Sequence, residues 1–140
     1  MKNNSTSKNL RIFLRSWSVA CIAIMTINWS AFIFKFLKFN PGGSLHWFIW
    51  DDVYGHVGPM LFILYIIWSV YLFKAGNDPV RYKTFLDFTL WANVGHAIVM
   101  VPMALNDSMY HTKFLTDIPF ILGLSIGIYV WQPSVNVSEA

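Results

Sequence analysis

The chain has 140 residues, 56% of them hydrophobic and 12% charged, where a soluble domain carries roughly 25% charged residues. A water-soluble fold this small cannot bury so much apolar surface, and seven Trp, six Tyr and twelve Phe add to the excess, which needs lipid. The net charge of +3 would suggest nucleic acid in a soluble protein, but the ten basic residues flank apolar stretches, so they read as topology signals and no nucleic-acid partner is expected.

Residues 1–16 are polar and basic, and a partly disordered cytoplasmic tail ending in a short interfacial turn is expected there. Lys2, Lys8, Arg11 and Arg15 resemble the basic start of a signal peptide. The apolar run from Trp17 to Leu37 is longer than the usual core of about 7–15 residues, so an uncleaved first span, Trp17–Phe36, is expected. Cys21 lies inside it. A single cysteine supports neither an internal disulfide nor a cysteine-based zinc site, and it reads as packing. Asn28 is expected to hydrogen-bond a neighbouring helix.

Asn40-Pro41-Gly42-Gly43 is a turn signal, and Trp47, Phe48 and Trp50 form an interfacial aromatic belt with His46 among them. Asp51-Asp52 opens the second span, Val53–Phe73, where acidic groups suit the helix dipole. His56 follows Asp52 by four residues and shares its face. Gly55 and Gly58 permit close helix approach, and Pro59 marks a first turn or a kink. Lys74 to Lys83 is a polar loop with an Asn77-Asp78-Pro79 turn.

The third span, Thr84–Leu105, is the most informative, because it carries Asp87, Asn93 and His96 at membrane depth, where polar groups usually face a bundle interior. Thr89, Asn93, His96, Met100 and Met103 share one helical face. Asp87 lies on another, positioned to pair with Lys83 or with a neighbouring helix. After an Asn106-Asp107-Ser108 turn comes the fourth span, Phe114–Trp131, with Asp117 and Pro119 in its first turns and a Gly123/Gly127 close-packing pair. Residues 132–140 form a second polar tail.

The expected fold is all-α: a single four-helix antiparallel transmembrane bundle over residues 17–131, with short loops making neighbours antiparallel. Seven basic residues (Lys2, Lys8, Arg11, Arg15, Lys74, Arg81, Lys83) against three (Lys35, Lys38, Lys113) place both termini in the cytoplasm, in a multi-pass protein of the plasma (inner) membrane. The expected partners are the lipid bilayer and a further copy of the chain or another membrane protein.

In that topology Asp52, His56, His96, His111 and Asp117 converge in the outer half. These five are the candidate metal ligands. His56 with Met60, and His96 with Met100, are each four apart, and with Met103 and Met109 they suit a soft metal such as copper(I). His56 and His96 as axial haem ligands, or a proton-responsive cluster, are further readings. Against them stands the plainer one, that these residues are interhelical hydrogen bonds and surface groups in a non-enzymatic accessory or small-ligand-binding protein. No hydrolase motif, phosphate loop or zinc-protease helix is present, so no catalytic residue is assigned.

The segment FLDFTLWANVGHAIVMVPMAL, followed by HTKFLTDIPFILGL, resembles a family of small four-span integral membrane proteins. The similar features are the aromatic-Thr-x-Trp run before His96, then Met100, and the Asp117-x-Pro119 start of the last span, covering roughly Asp78 to Leu124. The resemblance implies a four-helix bundle and brings no activity, substrate or cofactor with it.

Overall fold

The structure, a computed structural model, describes residues 3–34 and 57–132. The aromatic belt, His46, Asp52 and His56 lie outside them. Among the described residues there are four α-helices, α1 (Asn3–Phe34), α2 (Val57–Asn77), α3 (Lys83–Asn106) and α4 (Asp117–Trp131), with a 3-10 helix, Ser108–Phe114, leading into α4. All four spans are long and apolar enough to cross a membrane. They form an antiparallel four-helix bundle, in which α1 lies against α2 and α4, and α3 lies against α4 and α2.

The first helix begins earlier than the composition suggested. Residues expected as a tail are helical from Asn3, because Leu10 and Leu14, four apart, are fully buried. They join Leu72, Ala75, Leu86, Leu90, Leu124 and Ile128 in one cluster at the end of the bundle where α1 starts. The polar residues around them only mask this stripe. Helix α2 likewise runs four residues past Phe73. Ala75 and Gly76 are buried against α1, and a Cβ on Gly76 would lie 3.3 Å from the Arg11 carbonyl oxygen. Arg15 donates to the Asn77 side chain and rests 5.4 Å from the centre of the Phe73 ring. The loop shortens to residues 78–82, and there the Asp78 carboxylate accepts from the Arg81 backbone N–H at 3.1 Å, the expected turn chemistry.

At the opposite end a second cluster, Met100, Ala104 and Ile118, joins α3 to α4. Pro119 is the third residue of α4, where its missing N–H is one that no helical carbonyl would have met. Pro102 inside α3 cannot donate to the Ile98 carbonyl, a loss that spanning helices tolerate where local adjustments re-satisfy the group.

Asp87 takes both partners that its position allowed. Lys83 donates to Oδ2 at 2.6 Å and Gln132 to Oδ1 at 2.6 Å, so one carboxylate ties the start of α3 to the end of α4. Asn28 differs from expectation. Its amide nitrogen donates to the Ile24 carbonyl at 2.8 Å, within its own helix. The nearest buried acceptor on a helix is the carbonyl one turn back, and a short side chain reaches it without help from a neighbour.

The Gly123/Gly127 pair packs inside the bundle. The Phe13 ring lies on Gly127 and Trp17 on Gly123, where a Cβ would stand 3.1 Å from the indole. Phe13 also meets Trp131 edge-on at 5.1 Å, and Trp17 stacks on Phe120 at 4.6 Å. Between apolar helices in lipid, such close fit is the main attraction available. Gly127→Leu is therefore expected to lower the thermal unfolding midpoint in mild detergent, by the overpacking cost of about 1–3 kcal/mol. Gly95→Ala, at a site with no neighbouring atom within 4 Å, should leave it unchanged or slightly raised.

Candidate functional site

A cavity of about 360 Å³ lies among the four helices, between the two packed clusters. Each helix contributes a stripe at one-turn spacing. From α1 come Trp17, Cys21 and Met25, and from α2 come Leu61, Tyr65 and Trp68. Asn93, His96, Val99, Met100 and Met103 line it from α3, and Asp117, Phe120, Ile121 and Leu124 from α4. The walls are mainly aromatic and aliphatic, with a few polar groups, the usual composition of a small-molecule pocket.

Among the described residues a ring contact and two hydrogen bonds tie α2 to α3, beside their shared part in the leucine cluster. Tyr71 lies 6.2 Å from Phe85, Trp68 Nε1 donates to Thr89 Oγ1 at 3.2 Å, and the Tyr65 hydroxyl meets His96 Nδ1 at 3.3 Å. Each interhelical hydrogen bond of this kind is worth about 1 kcal/mol in a membrane. Beyond His96 no further hydrogen bond or ring contact joins the two helices among the described residues, and the lining residues Leu61, Val99 and Met103 are 39%, 60% and 47% exposed. The lining residues of α1 and α4 are all buried or half-buried. Among the described residues the mouth of the cavity is thus the gap between α2 and α3, open to the side of the bundle.

The polar groups are placed by local bonds. The amide nitrogen of Asn93 donates to the Thr89 carbonyl at 2.7 Å, which leaves its oxygen as an acceptor. Lys113, fully buried on the 3-10 helix, pairs with Asp117 at 3.1 Å, so the one acidic residue among the described lining residues has its charge balanced. The Cys21 thiol is buried and hydrogen-bonded with the Ser69 side chain.

The predicted site residues separate as follows. His96 and Asp117 line the same cavity. His111 is exposed on the 3-10 helix and is not part of the lining. Asp52 and His56 lie outside the described residues. Among the described residues no group of three or more His, Cys, Asp or Glu side chains could hold a metal ion. The softer donors do share the cavity: His96, Met100 and Met103, joined by Cys21 and Met25. Sequence reasoning passed over Trp17, Tyr65, Trp68 and Phe120. Their spacing was visible, but on helices apolar all round no polar contrast selects one face.

Comparison of the whole chain with protein-family models, with curated proteins and with solved structures finds no match. The functional reading therefore rests on the cavity itself.

The Lys113–Asp117 pair is unequally buried, with side chains 1% and 30% exposed. Removing the carboxylate takes an ionic partner from an ammonium in the interior, whereas removing the ammonium leaves a carboxylate with some access to water. Asp117→Ala should accordingly lower the unfolding midpoint, and Lys113→Met should lower it by less. The double variant should recover part of the loss of Asp117→Ala, as read by thermal unfolding in one detergent.

Proposed function

We propose that this chain is a non-enzymatic, multi-pass membrane protein that holds a small, mainly apolar molecule in the cavity among its four helices. The cavity is the observation that carries the reading: about 360 Å³, walled by aromatic and aliphatic side chains, with Tyr65, His96, Asn93, Asp117 and the buried indole N–H of Trp17, which has no partner within the described residues, as polar features. Ligand sites in helix bundles are built from side chains on facing helices in this way. One hydroxyl–imidazole pair, Tyr65 with His96, stands in a lining that is otherwise mainly apolar, and binding accounts for such walls better than catalysis.

Both termini are placed in the cytoplasm of a plasma (inner) membrane protein. The antiparallel bundle supports this by bringing Lys8, Arg11, Arg15, Lys74, Arg81 and Lys83 to one end and leaving Lys113 at the other. Association with a second membrane protein or a further copy of the chain is compatible with the exposed apolar faces, which lipid covers equally well.

Binding of decylbenzene to the full chain in lipid nanodiscs tests the reading. Wild type should show saturable binding above empty nanodiscs. Val99→Trp, which adds bulk at an exposed lining position, should weaken it about tenfold, an effect of ~1.4 kcal/mol, with an unchanged melting temperature. Absence of saturable binding overturns the reading. So does a stoichiometric metal or a haem absorption band in the purified protein, which would turn His96 and the cavity sulfurs into a cofactor site.

A further inference from the structure

We infer that the occupant of the cavity is a bilayer-dissolved ring compound bearing a carbonyl oxygen, the chemistry of a quinone headgroup with an apolar tail, and that His96 donates to that oxygen. This rests on the reading of the cavity as a ligand site.

The route of entry comes first. The mouth lies between α2 and α3, flanked by Leu61, Val99 and Met103, and a lateral gap between spanning helices faces hydrocarbon. A ligand entering there arrives dissolved in the bilayer, so its bulk is apolar. Charge comes next. Asp117 is the one charged group among the described lining residues and Lys113 pairs with it, so those residues offer neither a spare anion for a cationic ligand nor a spare cation for an anionic one. The ligand headgroup is then neutral.

His96 selects the kind of neutral group. It is exposed near the middle of the Lys83–Asn106 span, where a polar side chain without partners is costly. Its Nδ1 meets the Tyr65 hydroxyl, while its Nε2 has no partner among the described residues. A phenol is a better donor than acceptor, because its lone pair is drawn into the ring. The Tyr65 hydroxyl therefore donates to Nδ1, and the hydrogen of the neutral imidazole sits on Nε2. A bare N–H at the mouth seeks an acceptor, and a carbonyl oxygen is the neutral acceptor with the strongest lone pairs. The flat rings of Trp17, Trp68 and Phe120 favour a planar partner, by the offset and edge-on contacts they already make with one another and with Tyr65.

The test compares two probes with the same decyl tail, decylubiquinone and decylbenzene, bound to the full chain in lipid nanodiscs. Wild type should bind both saturably. His96→Leu should lose about five- to tenfold in decylubiquinone affinity, as expected for one hydrogen bond, and keep its decylbenzene affinity, which also reports that the fold is intact. His96→Gln, which retains an N–H, should recover part of the loss. Tyr65→Phe, which frees Nδ1 to take the hydrogen, should weaken decylubiquinone alone, and it decides the matter if His96→Leu does not fold. Unchanged decylubiquinone affinity in His96→Leu, or in Tyr65→Phe where His96→Leu fails, overturns carbonyl recognition and leaves the apolar cavity standing. Failure of both probes to bind wild type, as when a second copy covers the mouth, overturns both readings.

Discussion

Inside a bilayer no polar group can borrow a hydrogen-bond partner from water, and the arrangement of this bundle follows from that constraint. It demands helices, and it then disposes of the small polar side chains along them. Ser18, Asn28, Ser30, Ser69, Asn93, Thr116 and Ser125 each donate to the carbonyl four residues back. Ser125 is also within reach of the Leu90 carbonyl on α3, at 3.2 Å. Self-satisfied polar groups of this kind add little attraction between helices. Cohesion falls to shape: Phe13 and Trp17 lying on Gly127 and Gly123, and leucines meeting at the end where α1 starts.

His96 cannot follow the same rule, since an imidazole has two nitrogens and no flexible reach to the preceding turn. One nitrogen finds Tyr65 across the gap. The other is why the residue differs from the rest of the polar set. Asp87 shows the alternative outcome for a group too strongly polar to satisfy itself. It sits near the end where α1 starts, and Lys83 and Gln132 between them engage both its oxygens. A structural role accounts for Asp87 fully. It accounts for only half of His96.

The number, order and antiparallel sense of the helices were legible because about twenty apolar residues are needed to cross a bilayer and little else satisfies that length. The face shared by Thr89, Asn93, Met100 and Met103 was legible too, from spacing against two polar markers. Boundaries were less so. A polar composition at residues 3–16 concealed Leu10 and Leu14, whose burial depends on α2 and α4 being present to receive them. Asn28 was misjudged because an amide in an apolar span can bond outward or back along its own helix, and composition does not distinguish the two. The cavity was half visible. Its α3 wall carries polar residues that single out a face, whereas Tyr65 and Trp17 sit among so many other aromatics that only the fold selects them.

The position of the cavity follows from how the helices are tied. Of the neighbouring helices in the bundle α2 and α3 touch least, and among the described residues their ring contacts and hydrogen bonds run from Tyr71–Phe85 through Trp68–Thr89 to Tyr65–His96. All the contact residues but Thr89 carry rings. Bulky rings meeting near one end of a pair prop the other end apart, and the space beyond is closed on its far side by α1 and α4. Filling that space would require large residues at Leu61, Val99 and Met103 facing one another. The chain instead carries flexible or small side chains there. An unfilled volume forfeits dispersion contacts with every atom that lines it, so a bundle that keeps one gives up stability it could have had. The loss is recovered if a ligand occupies the space, whose lining includes His96.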